Sequence, residues 1–183
     1  MAQIAGNEKN VLTSAEVTTM QMKCTSPDQD LVVYPRWLFF YSQNEYRTPL
    51  YVRFFVANRD PHTVAYNIKA REKIFKVDSS CGILKPGEKK VIKLFLMSSD
   101  DWPLAYGEYT QKRLKLAVEC LRVPDEIQPT SEKESRTIAR ALWKRSYNEW
   151  PLERLYTKLN ISLVSPINNV QAPATTVSTK IAI

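Results

Sequence analysis

Lys69 and Arg71 lie two residues apart on one apolar-alternating run, and Arg113 and Lys115 lie two apart on another. Residues two apart on a strand point to the same side. With Ala117 they can form one cationic sheet face suited to an acidic peptide, although a solvated face explains the same charges. A second set, Lys133, Arg136, Arg140 and Lys144, recurs every three or four residues and lines one side of a helix. It could meet nucleic acid or an acidic protein surface. No stacking aromatics accompany it, because most aromatics fall at strand parities that read as core, and nucleic acid is therefore disfavoured.

The inventory for catalysis is poor. His62 is the only histidine, so a multi-histidine metal site is not available. It sits in an Asp-Pro-His-Thr turn. Cys81 also reads as a turn residue, but nothing positions a third group beside a Cys81–His62 dyad. With 4 glycines in the chain there is no Gly-rich loop to cradle phosphate. Asp100-Asp101 reads as a loop acid pair. Trp102 and Tyr106 read either as partner anchors or as a loop folded over one end of the fold. No cofactor and no metal are expected, and the chain is not read as an enzyme.

Composition agrees with a binding role. Hydrophobic residues make up 44% and charged residues 25% of 183 residues, which is globular usage. The formal net charge is +7 and the pI about 9.3. That balance suits an acidic partner without choosing one. Three cysteines, with no CxxC pair, argue for a reducing compartment and hence a cytoplasmic location. The first residues lack a signal-peptide core, and no run reaches the roughly 18 apolar residues of a membrane span.

The elements that must position these residues are mostly strands. Leu31–Tyr41 is aromatic and β-branched but interrupted by Pro35, so it reads as an edge strand or two short strands joined at a bend. Leu50, Val52, Phe54 and Val56 alternate with Tyr51, Arg53 and Phe55. Val64, Tyr66 and Ile68 alternate with Ala65, Asn67 and Lys69 in the return strand of a hairpin. Ile92, Leu94 and Leu96 define another strand, as do Leu114, Leu116, Val118 and Cys120, which makes Cys120 a buried thiol. Between them, Ser79-Ser80-Cys81-Gly82 predicts one turn, with Gly82 free to take positive φ. Lys85-Pro86-Gly87-Glu88 predicts a type II turn. A Ser-x-x-Glu capping box at Ser131 and Glu134 opens the one expected helix, with Ile138, Ala141 and Leu142 on its apolar side. Leu155–Leu163 closes the strands. The fold class is all-β, a sandwich, with a small closed barrel as the alternative.

The segment from Val77 through Cys81-Gly82-Ile83-Leu84-Lys85-Pro86-Gly87-Glu88 resembles the double turn of the major sperm protein (MSP) domain. Tyr66-Asn67-Ile68-Lys69 resembles the strand before it. Val33-Tyr34-Pro35 through Leu38-Phe39-Phe40 resembles the family's opening strands. Leu142-Trp143 and Lys158-Leu159-Asn160-Ile161 resemble its C-terminal region. The resemblance spans about residues 28–165 and implies an immunoglobulin-like, seven-stranded β-sandwich with one late helix. Ser79 and Ser80 stand where the family often has prolines, and the helical insert of about 131–148 departs from a short loop.

The organisation expected is an N-terminal extension (1–27), an MSP-like domain (28–165) and a flexible C-terminal tail (166–183). The resemblance implies a non-enzymatic interaction or structural protein, closer to the nematode sperm cytoskeletal branch than to the VAMP-associated proteins. Its partners would be MSP-type filament subunits or further copies of itself, in the cytoplasm and within it the cytoskeleton or pseudopod. The alternative is a soluble adaptor binding acidic FFAT-like peptides, without the membrane anchor of the VAMP-associated proteins. In that branch, peptide capture uses Lys-Thr-Thr and Lys-x-Met. These map to Lys69-Ala70-Arg71 and Lys115-Leu116-Ala117, where the lysines match and both threonines and the methionine do not.

Overall fold

The computed structural model describes residues 12–146 and 154–164. The elements in chain order are α1 (Ser14–Met22), β1 (Val32–Tyr34), β2 (Trp37–Tyr41), β3 (Leu50–Ala57), β4 (Val64–Ala70), β5 (Phe75–Val77), β6 (Cys81–Leu84), β7 (Lys89–Leu96), α2 (Tyr106–Gln111), β8 (Leu114–Arg122), α3 (Glu132–Ser146) and β9 (Leu155–Val164). A four-stranded sheet of order β1-β3-β7-β5 faces a five-stranded sheet of order β2-β9-β8-β4-β6. All pairs are antiparallel except β2 with β9.

The all-β sandwich expected from alternation is the observed class. Among the described residues nine strands replace seven, because one run divides and one expected turn is a strand. Leu31–Tyr41 breaks at Pro35, which has no N–H to continue a ladder, and β1 and β2 enter opposite sheets. The stretch read as a first turn at Ser79–Gly82 is instead the start of β6. Gly82 pairs with Tyr66, and a Cβ on it would lie 2.8 Å from the Tyr66 ring. Glycine is needed there for room, not for positive φ. The second turn forms as expected: Gly87 has φ of 75°, and Glu88 N–H donates to the Lys85 carbonyl at 3.0 Å.

The inward sets named by alternation meet in one core between the sheets. Phe54, Val56, Ile92, Leu94 and Leu96 come from one sheet; Tyr66, Ile68, Leu116, Val118, Cys120 and Leu159 come from the other. A second core lies outside the five-stranded sheet. There α3 covers Ala65, Cys81, Ile83 and Leu121 with Ile138, Ala139, Leu142 and Trp143. Ser131 Oγ accepts from Glu134 N–H at 3.2 Å, as a helix cap should. The Glu134 carboxylate reaches back to Thr130 N–H at 2.8 Å. Ala141 is half-buried, and Ala139 and Trp143 complete the apolar side. The expected end of this helix near Asn148 lies outside the described residues.

Among the described residues three α-helices are present, not one. α1, in the segment read as an extension, is opened by a capping box in which Glu16 N–H donates to Thr13 Oγ1 and Thr13 N–H to Glu16. It docks on α3, where Gln21 Nε2 donates to the Leu142 carbonyl at 2.9 Å. Lys23 and Cys24 then carry the chain to an isolated bridge between Thr25 and Arg122.

Gly82→Ala should force the Tyr66 ring from its place and lower stability by about 1–3 kcal/mol. A urea melt checks this. An unchanged midpoint would show that the ring has somewhere to go.

Candidate partner-binding face

α3 lies over the β6 side of the five-stranded sheet, so among the described residues no helix covers the outer face of β8, β9 and β2. The strand register arranges its side chains in rows. Lys69 stands opposite Ala117, and Ala117 opposite Lys158. Ala70 stands opposite Leu116, which brings Arg71 level with Lys115 just past the end of β4. Lys115 stands opposite Asn160, and Asn160 opposite Trp37. Arg113, immediately before β8, comes level with Ser162 and Phe39 by the same registers. The structure thus places Lys69, Arg71, Arg113, Lys115 and Ala117 on one face. Lys69, Arg71 and Arg113 are exposed; Lys115 and Ala117 are half-buried.

Two features of this face escaped the sequence reading. The first is an aromatic row. Trp37, Phe39 and Tyr41 are 54%, 45% and 64% exposed, against the expectation that aromatics fall inside. The Trp37 and Phe39 rings lie 6.3 Å apart at 16°, and Phe39 and Tyr41 lie 6.4 Å apart. Their strand alternates exposed and buried along its length, and that alternation was the available signal. The second is Glu119, a buried carboxylate amid the cations. It accepts from Asn67 Nδ2 at 3.2 Å and pairs with Lys69 Nζ at 3.4 Å and Arg154 Nε at 3.3 Å. A buried carboxylate needs such partners. Lys69 is therefore partly committed within the molecule. Among the described residues Arg71, Arg113 and Lys115 pair with no carboxylate, so the uncompensated charge lies beside Trp37 and Phe39.

The other candidates lie elsewhere. Lys133, Arg140 and Lys144 are exposed on α3, away from the β8–β9 face. Arg136 is half-buried and pairs with Glu132, which also takes Lys90 at 2.7 Å. Asp100 and Asp101 are exposed in a single 3-10 turn after β7. Trp102 is buried, donates from Nε1 to the Met97 carbonyl at 2.9 Å and stacks on Tyr46 at 5.8 Å. Tyr106 packs on the same ring at 5.5 Å. Of the two readings given to this loop, closure of the sandwich end is the observed one.

Cys81 and His62 do not form a dyad. Cys81 pairs with Asn67 on β4, five residues from His62, a strand distance of about 16 Å. Asp28, Asp60 and His62 do bring potential ligand atoms within 4.8 Å of one another. Both Asp60 oxygens, however, accept backbone N–H groups, from Asp28 and Gln29 on one side and His62 on the other. Asp60 acts there as a loop clasp.

The thiols are also unsuited to nucleophilic work. Burial pushes Cys24 up to about 12 and Cys120 up to about 11, and it raises Cys81 as well, outweighing its nearby hydrogen bonds and arginines. The reactive species is the thiolate. In mildly alkaline buffer the folded protein should leave all three thiols unlabelled by a disulfide reagent, and denaturant should release all three. Rapid native labelling of Cys81 would reopen the dyad.

A model of the MSP (Major sperm protein) domain matches residues 30–146. A search of curated protein sequences finds no significant match. Solved structures with similar folds include WR4, a C. elegans MSP family member, with a TM-score of 0.47 and 12% identity over 74% of this chain and 96% of that one. SSP-19, an MSP-domain protein like family member in Caenorhabditis elegans, gives a TM-score of 0.47 and 11% identity over 72% of this chain and 99% of that one. The ASH/PapD-like domain of human CEP192 gives 0.42 and 8% identity over 90% and 98%. The family match covers well over half the chain: it belongs to the major sperm protein domain family.

Proposed function

We propose that this protein is a non-enzymatic association module that holds a protein partner on the outer face of its five-stranded sheet. The carrying observation is the row Trp37–Phe39–Tyr41 beside Arg71, Arg113 and Lys115. Exposed tryptophan and tyrosine flanked by arginine are the residue types that dominate protein interfaces. Within the family this reading fits the motility cytoskeleton of nematode sperm, with other MSP-type subunits or further copies of this chain as partners. No metal or cofactor enters it. Among the described residues no helix is long and apolar enough to cross a membrane.

The second reading is an adaptor for acidic peptides. Arg71, Arg113 and Lys115 favour it, since none has a carboxylate partner among the described residues. Ala117 and the Glu119 pair weigh against it, because they replace a contact residue and occupy Lys69.

Sedimentation against concentration and titration with a labelled acidic, phenylalanine-containing peptide separate the two. Assembly predicts a mass that rises with concentration or with added MSP-type subunits. It also predicts that Trp37→Ala weakens association by about 30-fold or more, the size of an interface hot spot. Peptide capture predicts saturable binding that Lys115→Gln weakens and Glu119→Gln strengthens, because Lys69 is then released. A strictly monomeric protein that binds neither subunit nor peptide would sink both.

A further inference from the structure

The outer face of the four-stranded sheet has a composition of its own. The strands β1, β3, β5 and β7 contain no aspartate or glutamate. Arg53, Lys76 and Lys89 are exposed on it, and Lys93 is half-buried. The nearest acid is Asp78 at the rim just past β5, where its carboxylate accepts Lys93 N–H at 3.0 Å. Four cations therefore share one face, and the one carboxylate met on it, Asp78, lies at its rim beside Lys93.

Between the cations lie apolar groups. Tyr34 and Phe55 stand opposite each other with ring centroids 5.5 Å apart. Tyr51 and Phe95 form a second pair at 5.9 Å. Tyr34, Tyr51 and Val91 are 61%, 54% and 55% exposed. The β3–β7 ladder runs unbroken from Leu50–Leu96 to Ala57–Lys89. The face is thus continuous for about 26 Å along the strands.

We propose that this face docks on an anionic membrane surface, with its lysines and Arg53 at the lipid phosphates and carboxylates and its tyrosines at headgroup level. Charge selects this occupant. A second copy set face to face would oppose cation to cation. Single-stranded nucleic acid shares the charge preference but needs open ring faces for base stacking. Here Lys89 Nζ sits 3.8 Å from the Phe55 centroid. Arg53 and Lys93 flank Tyr51 at 5.6 Å and 5.8 Å. Anionic headgroups can engage these cations without displacing them from the rings. Tyrosine suits the boundary because its ring is apolar and its hydroxyl is wet. Val91, which has no ring, fits an acyl boundary and not a stack of bases. This surface is opposite the one proposed for protein partners, so both could be occupied at once.

The test is co-sedimentation of the full chain with vesicles of phosphatidylcholine alone and of phosphatidylcholine mixed with phosphatidylserine. The protein should partition onto the mixed vesicles only and should leave them as salt is raised. Each basic residue near an anionic surface contributes about fivefold. The triple variant Arg53→Gln/Lys76→Gln/Lys89→Gln should therefore lower the partition by on the order of 100-fold. All three side chains are exposed, and its melting curve should match the parent's. Tyr51→Ser should weaken the partition at unchanged charge. Equal partition on both vesicles, none on either, or full retention by the triple variant would overturn the proposal. So would a single-stranded oligonucleotide that binds through these cations while the mixed vesicles do not.

Discussion

The docking of α3 on the outer side of β6 sets what the rest of the molecule can do. β6 is an edge strand, and an edge presents unpaired N–H and C=O groups that can template further pairing. Ser135 Oγ accepts from Ile83 N–H at 2.8 Å, so the helix satisfies one such donor directly. Ile138, Leu142 and Trp143 then bury Ala65, Cys81, Ile83 and Leu121 from the outside. As a result β4 and β8 change character along their length. Near Ala65 and Leu121 both faces are buried; near Lys69 and Ala117 only the inner one is. The charged residues occur where the helix has ended its cover. α1 adds to the same clamp through Gln21, whose amide reaches the Leu142 carbonyl.

Electrostatics divides the two outer faces. The five-stranded sheet carries a buried carboxylate, Glu119, which is tolerable only because Lys69, Arg154 and Asn67 converge on it. Desolvating a lone carboxylate would cost several kcal/mol. Glu119 offsets part of the charge at the centre of that face, and its cationic character is strongest towards Arg71, Arg113 and Lys115, where the aromatic row begins. The four-stranded sheet has no acid within its strands, and only Asp78 at its rim meets its cations. One face therefore offers rings with a few cations, the feature on which our proposal of a protein partner rests. The other offers cations with rings beneath them, the feature on which our proposal of an anionic membrane surface rests. The four edges differ in the same way. β1 and β5 are only three residues long, β6 is covered by α3, and β2 has five uncharged residues with its outward side chains open.

Much of the fold could be read in the residues because local rules acted alone. Alternation at Leu50–Val56, Ile92–Leu96 and Leu114–Cys120 named the inward sets, since each pairs an apolar parity with a largely polar one. Pro86 and Gly87 specified their turn through backbone dihedrals, and Ser131 its helix start through a cap. Thr13 and Glu16 carried the same capping signal for α1, hidden in a segment with little apolar periodicity. Gly82 was misread because a glycine between serine, cysteine and isoleucine looks like a turn. What it accommodates is the Tyr66 ring, a residue sixteen positions away.

The sequence by itself determined which residues alternate and where most of the chain turns and caps. The tertiary structure alone decided which side of each element meets solvent. The physical reason is clearest in Trp37-Leu38-Phe39-Phe40-Tyr41. Both parities there are apolar, so period two separates the residues into two sets without saying which set is inside. Pairing with β9 turned Leu38 and Phe40 inward and left the other three rings to the surface. The same holds for Glu119, whose tolerance in a sheet depended on Lys69 and Arg154 arriving from β4 and from the start of β9.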